Sequence, residues 1–413
     1  MTTNNLLTIS MITNEALRVL VNQLTFTRAI ARHYDDKFAV EGGKIGTTLN
    51  IRKPPRYVGR TGPALQVESS VETYIPLTLS TQFGVDMAFT TQDLTMNISD
   101  FSDRFIKPAI AAVANKIDYD GLQQFYNVYN LIGTPGVLSG TPTSVQSQAA
   151  ILGARARLNQ EAAPVDEMRS FVVDPQVEVG IVSGLTNLFN PQVVISSIFQ
   201  KGALGDNTLG FNFAMDQNVG SYTTGTATAF TVSAQSGSSV QTNASTGFNL
   251  AVSSTSGTIT KGTVFQIPGV YAVNPQSRQS TGVLRNFVVT ADVAASSTSI
   301  PVYPNPIFSG QFQNVTSSTG TIPSGTAAII SGNSGSAATY TQALAFHRDA
   351  FAFATADLIL PQGVDMAGRA SADGVSIRLV RQYDINSDQL PTRLDVLYGF
   401  QTVYPELACR VTG

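Results

Sequence analysis

Between Gln217 and His347 only Lys261, Arg278, Arg285 and Asp292 carry a formal charge. Ser, Thr, Gly, Ala and Val dominate the span. Short alternating runs recur in it between Gly/Ser turns: AFTVSA, GFNLAVS, TVFQIPGVYAV, NFVVTADV and SIPVYP. The Ser/Gly-rich fillers taken alone would read as linkers. The regular apolar runs instead indicate strands, because one buried face per strand demands a period of two. An inserted all-β domain, a barrel or a sandwich, is therefore expected over residues 222–342.

The poverty of charge extends to the whole chain. Of 413 residues, 13% are charged and 43% hydrophobic, against a usual charged share of roughly 25%. A solvated monomer needs surface charge, so much of this surface is expected to be hidden, most simply by symmetric self-assembly. The net charge of −3 argues against a tight electrostatic grip on nucleic acid, which takes clustered Lys and Arg. One cysteine, Cys409, excludes an intrachain disulfide. The first basic residue is Arg18, with no apolar h-region before it, so no signal peptide is expected. No apolar run reaches about 18 residues, so no transmembrane helix or membrane partner is expected. The Asn-x-Ser/Thr triplets at Asn97, Asn243 and Asn314 carry little weight in that context.

The flanks have a mixed character. Residues 1–10 are polar and suggest an arm. Residues 13–33 suggest a helix, capped by Thr13 or Asn14, with Leu17, Leu20, Val21 and Leu24 on one face. His33, ahead of Asp35 and Asp36, reads as a helix C-terminal histidine favoured by the dipole. Residues 38–90 carry Lys44, Arg52, Lys53, Arg56 and Arg60, interrupted by Pro54-Pro55 and Gly62-Pro63. Ile75, Leu77 and Leu79 then alternate as a strand. This is a long two-stranded loop with a basic tip, unstable in isolation. It is either solvated along its length or laid on a neighbouring copy. In the second case Lys44, Arg52, Lys53, Arg56 and Arg60 are candidate inter-subunit contacts.

Ile106, Ile110, Val113 and Ile117 recur at helical spacing, and Pro108 suits a first turn. A helix from Pro108 to Val128 would span about 30 Å. Asp118-Tyr119-Asp120-Gly121 imitates the start of a calcium loop but lacks the third ligand and the closing Glu. SVQSQAAILGARARLNQEA reads as helix and SFVVD as a buried strand. GALGDNTLGFNFAMDQNV leads through a turn into Phe211 and Phe213. Beyond Arg348, VSIRLVRQ and RLDVLYGF alternate. In PELACRV, Leu407, Cys409 and Val411 share one strand face, which makes Cys409 a core residue.

Catalytic constellations fail on inspection. His347-Arg348-Asp349 matches the opening of a kinase catalytic loop, yet Ala350 follows and Ala354 stands where the metal-binding Asn belongs. The only similar triplet to Asp-Phe-Gly is Gln82-Phe83-Gly84, upstream and without the acid. With two His and one Cys, zinc sites from those ligands are nearly excluded. No phosphate-cradling Gly-x-x-x-x-Gly-Lys-Ser/Thr occurs. The run around Ser334 misses the nucleophile elbow at Ser336. Carboxylate pairs such as Asp365 with Asp373 cannot be judged without a fold. No enzyme, cofactor or metal is expected.

The order of these segments resembles the major capsid protein of tailed bacteriophages, the Hong Kong 97 fold. SDRFIKPAIAAVANKID (102–118) resembles the start of that family's spine helix. GALGDNTLGFNFAMDQNV (202–219) resembles the strand leading to the edge of the capsomer-centre domain. The insert followed by LAFHRDAFAFAT resembles the P-twenty-two podophage type, whose central domain carries an inserted β-barrel. The His-Arg-Asp stretch would then mark the return from the insert, with Phe346, Ala350, Phe351 and Phe353 at a junction between insert and core.

The resemblance implies an α+β fold with five parts. An N-terminal arm and helix occupies 1–37 and an extended loop with flanking strands 38–90. A peripheral domain with the spine helix takes 91–132 and 391–413. A capsomer-centre domain takes 133–221 and 343–390, and the β-barrel insert 222–342. It implies a non-catalytic subunit of an icosahedral shell around double-stranded DNA, in the virion, assembled in the host cytoplasm. Its partners would be itself, in hexamers and pentamers, then a scaffolding protein and a portal, with packaged DNA touched weakly and non-specifically. A tail-tube or fibre subunit would call for coiled-coil heptads or repeats, which are absent. A carboxylate hydrolase with a β-rich accessory domain would call for an aromatic sugar platform, and the chain has no Trp.

Overall fold

The computed structural model describes residues 9–32, 48–65, 67–68, 70–90, 105–133, 148–186, 208–233, 247–332, 335–372 and 374–412. His33, Lys44 and Ser334 lie outside them. The chain divides into two compact units. The first comprises Met1–Ile51, Pro76–Leu122 and Phe351–Gln401, the second Arg52–Ile75, Gln123–Ala350 and Thr402–Gly413.

In the first unit the amphipathic pattern near the N-terminus gives a helix over Ile9–Gln23 that buries Leu17 and Leu20. It does not run to residue 33. It stops, and a separate turn follows at Phe26–Ala29. The cause is a carboxylate 91 to 93 residues away in sequence. Asp118 accepts hydrogen bonds from Thr25 N (2.6 Å), Thr27 N (3.1 Å) and Thr27 Oγ1 (2.7 Å). It caps the turn where Thr25 itself makes no side-chain cap. Asp118 sits on the Ala-rich helix Lys107–Leu122, whose Ile110, Val113 and Ile117 are fully buried. A 3-10 turn, Gln123–Asn127, then ends the helical run short of Val128. Asp120 is engaged by Lys116 Nζ (2.6 Å) and Tyr398 Oη (2.7 Å), so the calcium-like tetrapeptide is committed elsewhere. Gly121 is required by packing: a Cβ there would lie 2.7 Å from the Phe26 ring.

A five-stranded sheet completes this unit. Its order is Phe351–Ala356, Gln389–Thr402, Val375–Arg381, Met366–Ala372, and Thr81–Thr90 also pairs with Gln389–Thr402. Phe351 and Phe353 are fully buried. Their rings meet Phe26 (5.6 Å) and Phe400 (4.8 Å) between centroids. The expected junction with the insert is therefore replaced, for these two residues, by the core of the first unit.

In the second unit a six-stranded sheet runs Leu131–Ile132, Ala408–Thr412, Thr339–His347, Arg169–Val173, Asn212–Met215, with Ser221–Thr223 also on Thr339–His347. Ala343 pairs with Val411 and Ala345 with Cys409. These four join Ile151, Ala154, Leu158, Val177 and Ile181 of helices Gln148–Gln160 and Pro175–Thr186 in one core. Burial pushes the Cys409 thiol up to about 12, as expected of an inert core cysteine.

A seven-stranded sheet is drawn wholly from the charge-poor span. Its order is Val315–Thr316, Val264–Val273, Ser280–Val289, Ser299–Tyr303, Phe248–Thr255, Phe230–Val232, and Ile329–Ile330 also pairs with Val264–Val273. Its core, including Phe230, Leu250, Phe265, Ile267, Phe287 and Ile300, comes from the same span. The segment just before Ile329 bonds to the opposite end of this order, through Val232 N to Thr326 O and Ala328 N to Phe230 O (both 2.9 Å).

Strands Phe351–Ala356, Met366–Ala372 and Val375–Arg381 belong to the first unit's sheet, and Ala408–Thr412 lies in the six-stranded sheet of the second. Alternation reports that a strand has a buried face, and says nothing about which neighbour it joins.

The His-Arg-Asp tripeptide is a strand end and a single 3-10 turn, Arg348–Ala350, at the division between units. Buried His347 places Nε2 3.1 Å from both carboxylate oxygens of Asp166, and its Nδ1 accepts Asp349 N at 3.3 Å. Burial raises the Asp166 carboxyl, but the hydrogen bonds from His347 and Met168 N outweigh it and hold it below the usual range. The triplet thus fixes a turn.

Replacing Asp118 by Ala removes the cap of the Phe26–Ala29 turn and should cost roughly 2–4 kcal/mol of unfolding free energy. Urea unfolding of the unassembled chain measures it. A loss below about 0.5 kcal/mol would refute the capping role.

Candidate assembly site

Strand Thr48–Lys53 pairs with Thr73–Thr78 in a two-stranded sheet. Pro54 and Pro55 follow, and without N–H groups they cannot extend the ladder. The described residues between 54 and 72 run without regular structure, and side chains set their course.

The base is held by ionic contacts within the second unit. Lys53 Nζ stands 4.5 Å from the centroid of the Tyr404 ring, and Arg56 Nη2 lies 3.2 Å from Glu406 Oε1. Burial lowers the Lys53 ammonium, with Glu406 opposing and Arg56 adding to the shift. Burial also pushes the Glu406 carboxyl up, but Lys53, Arg56 and Arg285 together pull it below its ordinary value. Glu406 is therefore charged at neutral pH.

Beside it, Arg285 Nη1 meets Glu161 Oε1 at 2.6 Å and Nη2 donates to Tyr129 Oη at 2.9 Å. The guanidinium carbon lies 4.6 Å from the Tyr129 ring centroid. The Arg285 and Glu161 side chains are 3% and 4% exposed. A cavity of about 170 Å³ is bordered by Lys53, Arg56, Glu406, Arg285, Glu161 and Tyr129 among others. Three cations and two carboxylates thus border the same cavity.

Farther out, Tyr57 O accepts from Arg278 Nη2 at 2.9 Å. The two arms of the loop are tied by Tyr57 Oη with Ser70 Oγ (3.1 Å) and by Val58 N donating to Glu68 Oε2 (2.7 Å). Past these ties the tip is bare: Leu65 is 82% exposed and Val67 84%.

The five predicted basic residues thus separate. Lys53 and Arg56 are engaged within their own chain. Arg52 is exposed, 3.8 Å from exposed Glu72. Arg60 is exposed and donates to Gly62 O. Lys44 lies outside the described residues. Sequence reasoning missed Arg278, Arg285, Glu161, Tyr404 and Glu406. A usable signal was present. In a span starved of charge, each cation must find partners somewhere, and all three reach outside it. Lys261 Nζ stands 5.9 Å from the Tyr126 ring centroid, Arg278 reaches Tyr57, and Arg285 reaches Glu161 and Tyr129. Asp292 instead accepts Lys261 N at 2.7 Å inside the span.

Among the described residues no three His, Cys, Asp or Glu side chains are grouped to hold a metal. What the arrangement can do is mechanical: it stiffens a loop from below and presents an apolar tip.

The Glu406 carboxyl titrates lower in the folded chain than its ordinary 4.5. Its contribution is therefore complete above the unfolded value and is lost as pH falls through the folded one. Glu406→Gln should cost about 1–3 kcal/mol at pH 7. The gap to the wild type should close as pH drops below about 4.5, as read by denaturant titrations at several pH values. A gap that is constant with pH would contradict the ionic role.

The family model described as P22 coat protein - gene protein 5 matches residues 1–413, the whole chain. No match is found among curated proteins. Among solved structures the chain is similar to one from Mycobacterium phage Che8, at 12% identity over 94% of this chain and 90% of that one, with a TM-score of 0.47. It is similar to the capsid structure of the cyanophage P-SCSP1u at 10% identity, 88% and 83% coverage and a TM-score of 0.43. A virus-like particle from Pyrococcus furiosus is similar at 7% identity, 97% and 97% coverage and a TM-score of 0.38. Such low scores bear no weight by themselves, whereas the family match spans every residue. The chain belongs to the P22 coat protein family and is a phage major capsid protein.

Proposed function

We propose that this capsid protein builds an icosahedral shell around the double-stranded DNA of a tailed phage, and that loop 54–72 docks on a neighbouring copy. The observation that carries the docking is the contrast along the loop. Its base is fastened by Lys53, Arg56 and Arg278, while its tip holds Leu65 and Val67 out in water. Apolar side chains displayed on a braced loop favour a partner that covers them. Arg52 and Arg60, exposed on the same loop, act as inter-subunit contacts, with Lys44 assigned there on sequence grounds. Lys53 and Arg56 serve the base.

The finer architecture follows the Hong Kong 97 plan. The helix Lys107–Leu122 with the five-stranded sheet is the peripheral domain, and the six-stranded sheet with its two helices is the capsomer-centre domain. The insert is a closed barrel: the hydrogen bonds from 326–330 to both Phe230–Val232 and Val264–Val273 support closure. Subunits form hexamers and pentamers, guided by a scaffolding protein and joined to a portal in the host cytoplasm. The net charge of −3 suits a wall that touches packaged DNA weakly and without sequence preference. No helix among the described residues is long and apolar enough to cross a membrane.

Leu65→Asp with Val67→Asp tests the docking. Each apolar side chain is worth about 1.5–3 kcal/mol when buried. The double variant should unfold like the wild type yet raise the critical concentration for shell formation at least roughly tenfold. Sedimentation and negative-stain microscopy measure this. Normal shells at wild-type concentration would refute the docking.

A further inference from the structure

We infer that the inserted domain sets the direction of the intersubunit loop through Arg278, a positioning residue for assembly. The inference rests on the reading of loop 54–72 given above and adds the part that aims it.

Arg278 lies in the turn between strands Val264–Val273 and Ser280–Val289. The turn is closed on itself. Asn274 N donates to Gln279 O (3.0 Å) and Arg278 N to Asn274 O (2.9 Å). Asn274 Oδ1 accepts from Gln276 N (2.9 Å) and Ser277 N (3.0 Å). Within it Arg278 takes a φ of 55°, a left-handed conformation uncommon for a side chain without a short polar group. The same turn is bolted at its other side, because Asn274 Nδ2 donates to Gln160 O at the end of helix Gln148–Gln160 (2.9 Å).

The guanidinium is used as a fork. Nη1 donates to Gly310 O (3.0 Å), and Nη2 to Tyr57 O (2.9 Å) and Gln311 O (3.4 Å). These acceptors are all backbone carbonyls, so the geometry of the donors matters more than the charge. Tyr57 O is the contact that matters to the loop. It comes one residue before Val58, and Tyr57 also ties the returning arm through Ser70. The fork therefore holds both arms at the level where the exposed tip leaves the body. A loop held in one direction loses less freedom when it docks, which favours association without adding any contact.

The test uses the full-length, unassembled protein. Arg278→Gly removes the fork and relieves the left-handed backbone, so the turn itself should persist. Arg278→Lys keeps the charge but has no planar fork. Hydrogen exchange by mass spectrometry should show peptides over 54–60 exchanging about tenfold faster in both variants, with strands Val264–Val273 and Ser280–Val289 unchanged. Both variants should then raise the critical concentration for shells. Wild-type exchange over 54–60 in Arg278→Gly overturns the clamp, whatever the shells do. Wild-type protection in Arg278→Lys overturns the fork. Faster exchange with normal shells overturns the positioning role. If Leu65→Asp with Val67→Asp also assembles normally, the docking reading falls too; if only that variant fails, docking stands without the clamp.

Discussion

Arg285 and Glu161 meet at 2.6 Å with both side chains almost wholly out of water. Desolvation alone would depress the guanidinium, yet Glu161 and the Tyr129 hydroxyl reverse the effect and hold it charged. Such a pair is costly to create and costlier to break, because removing one partner strands the other's charge in the interior. The pair fixes strand Ser280–Val289 of the charge-poor span to the end of helix Gln148–Gln160. Arg157 Nη2 to Leu284 O (3.2 Å) and Arg410 Nη2 to Gly262 O (2.7 Å) run along the same join. Arg285 also helps lower the carboxyl of Glu406, the residue on which Arg56 anchors the loop. Anchoring of this seven-stranded sheet and bracing of the loop thus share one electrostatic cluster.

This arrangement gives a reason for the scarcity of charge in the span between Gln217 and His347. Its cations are spent on fastening, and its surface is polar by other means. Threonine and serine hydroxyls bond laterally between neighbouring segments, as Thr223 with Thr339, Thr226 with Thr258 and Thr228 with Ser256. Hydroxyl groups satisfy each other locally and carry no net field. In a wall built from many copies, a neutral surface avoids repulsion between repeats while staying wet.

Much of this was legible in the sequence. Alternation located the principal strands of the charge-poor span and the strand carrying Cys409, and helical spacing located the helix of Ile110, Val113 and Ile117, because each has one buried face. What periodicity cannot report is pairing at a distance. The break after Gln23 depends on Asp118, and the place of Ala408–Thr412 depends on a ladder to Thr339–His347. The basic loop was legible as basic. Which cations it keeps for itself depends on Tyr404 and Glu406, some 350 residues on. The His-Arg-Asp triplet failed as a catalytic motif already in the sequence, and its residues hold a turn through Asp166 and Met168.

The most direct test of the central claim is a double-mutant cycle on the unassembled chain, with Arg285→Met, Glu161→Gln and the pair together, read by urea unfolding. Each single change should cost about 3–5 kcal/mol. The double variant should cost less than the sum by at least about 2 kcal/mol, because neither leaves a stranded charge. It should also keep the strands of the seven-stranded sheet protected from hydrogen exchange. Additive losses, or single variants within about 0.5 kcal/mol of the wild type, would show that the seven-stranded sheet is held by something other than this pair.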